Sequence, residues 1–208
     1  MSTIMASEIM WQPWNDLRLR LLPRRRETLD AAIFLGVNGL PHSRRMDASV
    51  SLLSDLGRGA GWLGWAAWLA LHGNGRRRRA AMAGSLAMLT ATAIVQGPVK
   101  RVARRQRPHR LRFAIVVGKR PTDSSFPSGH TAGSFAAAAA IGAVLPGQRL
   151  PLLGVASAVG LSRVYLGHHF PSDVLAGAAL GGVAGHIAGC LLRERVGDLP
   201  AGERLPGP

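Results

Sequence analysis

Five apolar runs alternate with short polar and basic blocks along this chain, at residues 59–73, 80–98, 131–145, 152–166 and 171–192. A helix needs about 20 predominantly apolar residues to cross a bilayer, and the run at 80–98 is the clearest span. The first run is short, but it becomes long enough if its helix begins near Val50. The pattern predicts an all-α fold, a multi-pass transmembrane helical bundle of about five to six helices.

The segments outside these runs divide the chain into three parts. Residues 28–56 fit one or two amphipathic helices, broken near Asn38, and we expect them to lie along the membrane interface. Residues 1–27 are basic and largely irregular, without the apolar core of a signal peptide. Residues 193–208 form a polar tail that we expect to be disordered. The membrane-embedded domain is therefore predicted to comprise residues 28–192.

Composition and charge narrow the functional classes. The 208 residues suit one domain, 47% of them are hydrophobic, and the formal net charge is +15. Basic blocks such as the one from Arg76 to Arg79 flank apolar runs and lack interleaved aromatic side chains, so they fit a membrane surface and argue against a nucleic-acid partner. Cys190 is the single cysteine, which excludes an intramolecular disulfide and a cysteine-based metal site.

Small residues mark one face of the last predicted helix, with glycines at four-residue steps at Gly177, Gly181, Gly185 and Gly189. Glycines at that spacing let two helices approach closely in lipid. Two interpretations follow. The face forms a homodimer with a second copy of the chain, or it packs inside the monomer's own bundle, and we favour the second.

Three polar segments stand at the ends of apolar runs and concentrate the candidate chemistry. They contain three cations, a helix start, two histidines and one carboxylate: Lys100, Arg107 and Arg163; Ser128 and Gly129; His130 and His169; and Asp173. The helices 131–145 and 152–166 are joined by a tight turn and should form an antiparallel hairpin. That hairpin predicts that His130 and His169 meet at one membrane face.

These residue types suit the transfer of a phosphoryl group. We expect Asp173 to accept a hydrogen bond from Nδ1 of His169, which leaves Nε2 as a nucleophile, while His130 protonates the leaving group. His168 is one residue out of this register and is given a secondary role. The groups expected to bind the phosphate are the three cations and the helix start: Lys100, Arg107, Arg163, Ser128 and Gly129.

The same residues resemble the type 2 phosphatidic acid phosphatase family. Its signature is K-x6-R-P, then P-S-G-H, then S-R-x5-H-x3-D, and the chain carries each part, starting at Lys100, Pro127 and Ser162. The resemblance implies a phosphatase without metal or other cofactor, acting through His169, Asp173 and His130. Its integral-membrane branch acts on lipid phosphates, of the polyprenyl phosphate or diphosphate, phosphatidic acid or phosphatidylglycerol phosphate type.

The sequence leaves open both the activity of the protein and the side of the membrane on which the site lies. The alternative is that the chain is a catalytically idle membrane protein, which binds anionic lipid headgroups through its basic loops. We expect a location in the cell membrane, and more Lys and Arg residues fall on the side of the predicted site, which favours a cytoplasmic site slightly. The dense block from Arg76 to Arg79 lies on the other side and favours the opposite orientation.

Overall fold

The computed structural model describes residues 25–111 and 113–194, and within them the protein is helical without strands. The predictions for residues 1–24 and for the tail after residue 194 lie outside this part of the chain. The all-α prediction is confirmed. We number the helices in chain order as α1 Arg25–Asn38, α2 Arg44–Asp55, α3 Gly61–Leu71, α4 Gly75–Ile94, α5 Lys100–Ala103, α6 Gly129–Val144, α7 Arg149–Tyr165 and α8 Pro171–Glu194.

Polar side chains at the helix starts explain several of these boundaries. Ser43 accepts a hydrogen bond from the Met46 N–H at the start of α2, and Asn74 does the same for α4 through the Arg77 N–H. Such N-caps satisfy backbone donors that have no partner within the helix. The break predicted near Asn38 is present, because α1 ends there and α2 begins only at Arg44.

The first apolar run is lengthened by residues after Val50, as the sequence analysis allowed, and the helices expected within residues 28–56 do not end at residue 56. Helix α2 continues through the π-helical segment Leu56–Ala60 into α3, so one kinked helical path runs from residue 44 to residue 71. The kink lies at Gly59, whose φ of 153° is a backbone conformation that favours glycine. The hydrogen bonds continue across the kink, since the Gly61 N–H donates to the Leu56 carbonyl. The first apolar run thus borrows residues from α2.

Helix α6 lies at the centre of the bundle and packs against α4, α7 and α8. Its buried positions are mostly alanine or glycine, including Ala132, Ala136 and Ala140. Many large apolar side chains lie outside instead, for example Leu86, Leu161 and Leu175. A small-residue interior with an apolar exterior is the pattern of a bundle surrounded by lipid.

Within the residues that the structure describes, two helical segments are long and apolar enough to cross a membrane, Gly75–Ala103 and Pro171–Arg193. The first joins α4, the π-helical segment Val95–Val99 and α5, and it ends next to Lys100, as the sequence predicts. Helices α6 and α7 contain 16 and 17 residues. The total number of membrane crossings stays a prediction.

The four glycines of α8 face α6 of the same chain. A Cβ atom added at Gly181 would lie 2.0 Å from the Ala132 carbonyl oxygen, and one at Gly185 would lie 2.2 Å from that of Ala136. This confirms the intramolecular interpretation of the glycine face. A homodimer through the same face would need a surface that α6 already covers. His186, also on α8, lies on the exterior and contacts Cys190 of its own helix.

The tight α6–α8 contact predicts opposite effects for two neighbouring glycines. Gly181→Ala should destabilise the protein by about 2 kcal/mol, because the new Cβ overlaps backbone that has no room to shift. Gly182→Ala is the matched control, since nothing lies within 4 Å of its added Cβ, and alanine favours the helix. Thermal unfolding of both variants in detergent micelles measures the difference, and equal melting temperatures would contradict the packing described here.

Candidate active site

The three polar segments meet at one end of the bundle. The end of the α4–α5 path, the start of α6, the end of α7 and the start of α8 all lie there, so the antiparallel hairpin returns the chain as expected. The Ser128 N–H donates to the Asp173 carbonyl oxygen at 3.0 Å, which ties the start of α6 to the start of α8.

Arg107 is held at the centre of this cluster and is 5% exposed. Its Nη1 donates to the His168 carbonyl at 2.8 Å and lies 3.3 Å from Nε2 of His169. Its Nε donates to the Asp123 carbonyl at 3.0 Å. A guanidinium held by three neighbours has one orientation, which suits directional binding of phosphate oxygens.

Asp123 is a site residue that the sequence analysis did not anticipate. Its carboxylate accepts from Lys100 Nζ at 2.6 Å and from Arg107 Nη2 at 2.7 Å. Partial burial favours its neutral acid, but the hydrogen bond from Lys100 and the charges of Arg107 and Lys100 outweigh that effect and lower the pKa of Asp123. The carboxylate therefore occupies the positions on two cations that phosphate oxygens would take.

Arg163 is the third cation, and a histidine orients it. Its Nη1 donates to Ser54 Oγ at 2.5 Å, and its Nη2 donates to Nδ1 of His168. Nε2 of His168 then donates to the Val117 carbonyl at 3.0 Å. The sequence analysis gave His168 a secondary role, and the structure shows that this side chain orients Arg163. In the described part of the chain, Nε of Arg163 is buried without a hydrogen-bond partner.

His169 is 2% exposed, and its ring has a defined protonation pattern. Because arginine only donates, the Arg107 contact makes Nε2 the acceptor and places the ring hydrogen on Nδ1. Nδ1 donates to the Ser125 carbonyl at 2.7 Å. Burial, followed by the charges of Arg107 and Arg163, lowers the pKa of His169 well below its usual value, so the ring is neutral with a lone pair on Nε2.

The prediction that Nδ1 of His169 donates a hydrogen bond to Asp173 is wrong. Nδ1 of His169 lies 3.7 Å from Oδ2 of Asp173, beyond hydrogen-bond distance. That oxygen accepts from the Phe170 N–H at 2.8 Å instead. The bond resembles a capping box, in which a side chain in the first helical turn reaches back to the N-cap. The helix start thus takes the oxygen that spacing alone assigned to the histidine.

Arg105 was also missed, and it compensates the buried charge of Asp173. Its Nη1 donates to Oδ1 of Asp173 at 2.7 Å, and its Nη2 donates to Asp30 of α1 at 2.6 Å. The guanidinium lies over the Phe170 ring, 4.5 Å from its centre. Asp30 also accepts from the Ser172 N–H at 2.9 Å. In the sequence, Arg105 is one of several arginines in a basic block, and nothing local distinguishes it.

The start of α6 holds the remaining predicted residues. Ser128 is the N-cap, and its Oγ accepts from Thr131 Oγ1 at 2.9 Å. A Cβ at Gly129 would lie 2.9 Å from the Gln96 amide, so this glycine allows the helix start to approach α4. His130 is partly exposed, and its Nε2 accepts from Nε of Arg58 at 3.4 Å.

His130 and Arg163 line one side of a cavity of about 470 Å³ that opens beside Arg58 and Lys119. A second, apolar groove of about 400 Å³ lies next to it, between the α2–α3 kink and α7. Within the described residues, no three His, Cys, Asp or Glu side chains are grouped so that they could hold a metal ion. The arrangement combines three buried cations, a neutral buried imidazole and a second imidazole at the cavity edge.

A family model, that of the PAP2 superfamily, matches residues 81–196. The chain belongs to the PAP2 superfamily. It is 40% identical over 127 residues to the decaprenylphosphoryl-5-phosphoribose phosphatase of Mycobacterium tuberculosis, which covers 61% of this chain and 69% of that protein.

Two solved structures share the fold of this PAP2 protein. LpxE of Aquifex aeolicus has a TM-score of 0.65 at 27% identity, covering 77% of this chain and 94% of that one. A transmembrane PAP2 type phosphatidylglycerolphosphate phosphatase of Bacillus subtilis has a TM-score of 0.64 at 22% identity, covering 89% and 92%. The fold and the apolar exterior together identify a membrane protein.

The buried histidines predict that acid destabilises this PAP2 protein. Burial and the Arg163 charge lower the pKa of His168 to about 4, from an ordinary value of 6.5. Below pH 6.5 the unfolded chain binds protons that the folded protein does not, so stability is lost as the pH falls towards 4. His169 acts in the same direction, since its pKa is also lowered.

His168→Gln tests this linkage, because the amide still accepts from Arg163 and donates to Val117 without titrating. Between pH 7.5 and pH 5.0 the variant should lose about 1–2 kcal/mol less stability than the unmodified protein. His186→Gln, at an exposed position, should behave as the unmodified protein does. The loss is measured by thermal unfolding in micelles, and identical pH dependence in all three proteins would contradict a lowered pKa of His168.

Proposed function

We propose that this PAP2 protein hydrolyses a phosphate group from a membrane lipid, without a metal, through a phosphohistidine at His169. The observation that carries the proposal is the neutral His169 ring, whose Nδ1 hydrogen is held by the Ser125 carbonyl while Nε2 lies beside Arg107. A buried imidazole with its lone pair among three cations is a nucleophile aimed at an anionic group.

In the proposed reaction, phosphate oxygens replace the Asp123 carboxylate on Lys100 and Arg107 and bind Arg163 from the other side. Charge develops on these oxygens in the transition state, and preorganised cations stabilise it. Backbone N–H groups at the start of α6, after Ser128, add further positive potential. The cations therefore lower the barrier as well as bind the substrate.

The first chemical step forms a bond between His169 Nε2 and phosphorus and breaks the bond from phosphorus to the leaving oxygen. His130, in its protonated form, gives its proton to that oxygen. In the second step water attacks phosphorus and the N–P bond breaks, while His130 takes a proton from the water. Phosphate is released and both rings return to their starting states, so the proposal needs no other reactant.

Asp173 is assigned a positioning role through the helix start. Its carboxylate lies 3.7 Å from Nδ1 of His169, close enough to stabilise positive charge on the ring when Nε2 bonds to phosphorus. Its bond to the Phe170 N–H holds the turn that carries His169. Arg105 pairs with this buried carboxylate at 2.7 Å, and its positive charge favours the ionised form.

A catalytically idle lipid-binding protein is the alternative. Binding an anionic headgroup needs only the cations, whereas it gives no reason to bury a neutral His169 next to Arg107 or to place His130 at the cavity edge. The relative from Mycobacterium tuberculosis acts on decaprenylphosphoryl-5-phosphoribose, as its name states. We therefore propose a polyprenyl-linked phosphate as the first candidate substrate. The larger number of Lys and Arg residues on the side of the site slightly favours a site that faces the cytoplasm.

His169→Ala should reduce phosphate release by about a thousandfold or more, because the nucleophile is lost. The unmodified protein should keep its activity in excess EDTA. The measurement is phosphate release in micelles from a panel of phosphatidic acid, phosphatidylglycerol phosphate and polyprenyl phosphates. His186→Ala is the matched histidine control and should remain active. Activity that survives in His169→Ala, with the fold intact, would refute the phosphohistidine, and activity lost in EDTA would refute metal independence.

Arg105→Gln should lower activity by at least about tenfold, since Asp173 would remain buried without its cation. Arg104→Gln is the matched control, because it removes the same charge from an exposed neighbour. The same assay on the preferred lipid compares them, with thermal unfolding to separate lost activity from lost fold. Equal activities in the two variants would show that the Asp173–Arg105 pair does not position the site.

A further inference from the structure

Arg58 is a fourth cation at the site, outside the three polar segments and outside the residues that the proposed mechanism uses. It lies in the π-helical kink between α2 and α3, and its Nε donates to Nε2 of His130 at 3.4 Å. It lines the 470 Å³ cavity together with His130 and Arg163. Its side chain is 69% exposed, so it is available to a ligand.

The kink that carries Arg58 is firmly anchored. The Gly57 carbonyl accepts from Ser134 Oγ at 3.2 Å, and the same hydroxyl accepts from Trp62 Nε1 at 2.9 Å. Gly57 also packs so closely on α7 that a Cβ there would lie 2.4 Å from a Val159 methyl group. The fold therefore fixes the backbone that carries Arg58 close to the start of α6.

Arg58 lines the cavity beside His130, and residues next to it along the chain line the apolar groove. Its neighbours Leu56, Gly57, Gly61 and Trp62 line that groove, which is walled on the other side by α7. In the proposed mechanism His130 protonates the leaving oxygen, so whatever is attached to that oxygen continues past Arg58. A lipid chain in the groove and a phosphate on His169 would leave Arg58 next to the group that joins them.

The charge of Arg58 suits an anion at that position. Among the described residues, Arg58 pairs with the carboxylate of Asp55, which is 63% exposed and contacts Nη2 at 3.0 Å. Such an exposed pair contributes little. When His130 carries the proton it must donate, Nε2 no longer accepts from Arg58, and two donors face each other. An anionic oxygen of the leaving group would accept a charge-assisted hydrogen bond from Arg58 and relieve this repulsion.

We infer that Arg58 binds a second phosphate, located in the leaving group, and so selects substrates of the form lipid–phosphate–phosphate or lipid–phosphate–sugar–phosphate. This inference rests on the proposed function, because it takes the leaving group to lie beside His130. It narrows the substrate class from lipid phosphates in general to those whose leaving group is itself anionic.

Three substrates with one lipid chain isolate the effect: farnesyl monophosphate, farnesyl diphosphate and farnesyl-phosphoryl-5-phosphoribose. Arg58→Gln should lower kcat/KM for at least one of the two bisphosphorylated substrates about tenfold more than for the monophosphate, as expected for loss of a charge-assisted hydrogen bond. Arg44→Gln, an exposed arginine at the start of α2, is the matched control and should change none of them. Asp55→Asn should keep the preference, because Arg58 remains.

The pattern of losses identifies the source of the second phosphate. A selective loss for the diphosphate alone assigns a diphosphate substrate, and a selective loss for the phosphoribose alone assigns a sugar phosphate. Equal losses for all three substrates would overturn the inference and show that Arg58 acts through His130, in which case the pH profile for the monophosphate should also shift. The inference would also be overturned if Asp55→Asn caused the same selective loss as Arg58→Gln. The effect would then depend on the Asp55–Arg58 ion pair and not on phosphate binding by Arg58.

A binding measurement separates this inference from the proposed function. Inorganic phosphate and methylenebisphosphonate are compared by their stabilisation of the protein in micelles. The unmodified protein should bind the bisphosphonate more tightly, and Arg58→Gln should remove that advantage. If no lipid is hydrolysed but the advantage is present and lost in the variant, the proposed function fails and the second anion site stands. If the advantage is absent, the second site is refuted whatever the activity.

Discussion

The close approach of α8 to α6 is the contact on which the rest of the structure depends. Glycines at four-residue steps on α8 bring its backbone against the carbonyl oxygens of α6. The same register lets the Ser128 N–H bond to the Asp173 carbonyl at the site end. The histidine of the first helix start and the histidine of the second are therefore placed by one helix–helix contact, and its tolerance is a fraction of an ångström because no side chains lie between the backbones.

Charge is organised in two layers around His169. The inner layer is cationic, with Arg107, Lys100 and Arg163 held by carbonyls, a carboxylate and a histidine. The outer layer is the chain of Asp30, Arg105 and Asp173, which links α1 to the start of α8. Burying like charges side by side is unfavourable, so each cation needs a fixed partner, and Lys100 and Arg107 share Asp123. The partners explain why residues far apart in sequence converge on a single ring.

The exterior of the bundle follows a different rule. Leucines and other large apolar side chains lie outside while alanine and glycine fill the interior. In lipid there is no hydrophobic gain from burying large side chains, so helices associate through small residues and close contact. The charged site is confined to one end, where helix termini and loops supply polar partners, and the apolar groove lies between the α2–α3 kink and α7.

Local sequence was enough to predict the helical class, the break after Asn38 and a small-residue face on α8, because each rests on neighbours within a few turns. The spacing of Lys100, Arg107, His130 and His169 also determined membership of the PAP2 superfamily. The antiparallel order of two helices was enough to bring the polar segments to one end. These features need only helix periodicity, helix direction and a motif.

Only the tertiary structure decided which atoms meet. Spacing alone paired His169 with Asp173, yet the Ser125 carbonyl lies nearer and the helix start takes the Asp173 oxygen. The site also contains Asp123 from a loop, Arg105 from a basic block and Arg58 from a kink. Many similar residues in such segments are solvated, so the sequence did not distinguish these three. Hydrogen bonds form or fail over tenths of an ångström. The distances between atoms of distant segments are set by the packing of the whole bundle, and the order of residues along the chain does not specify them.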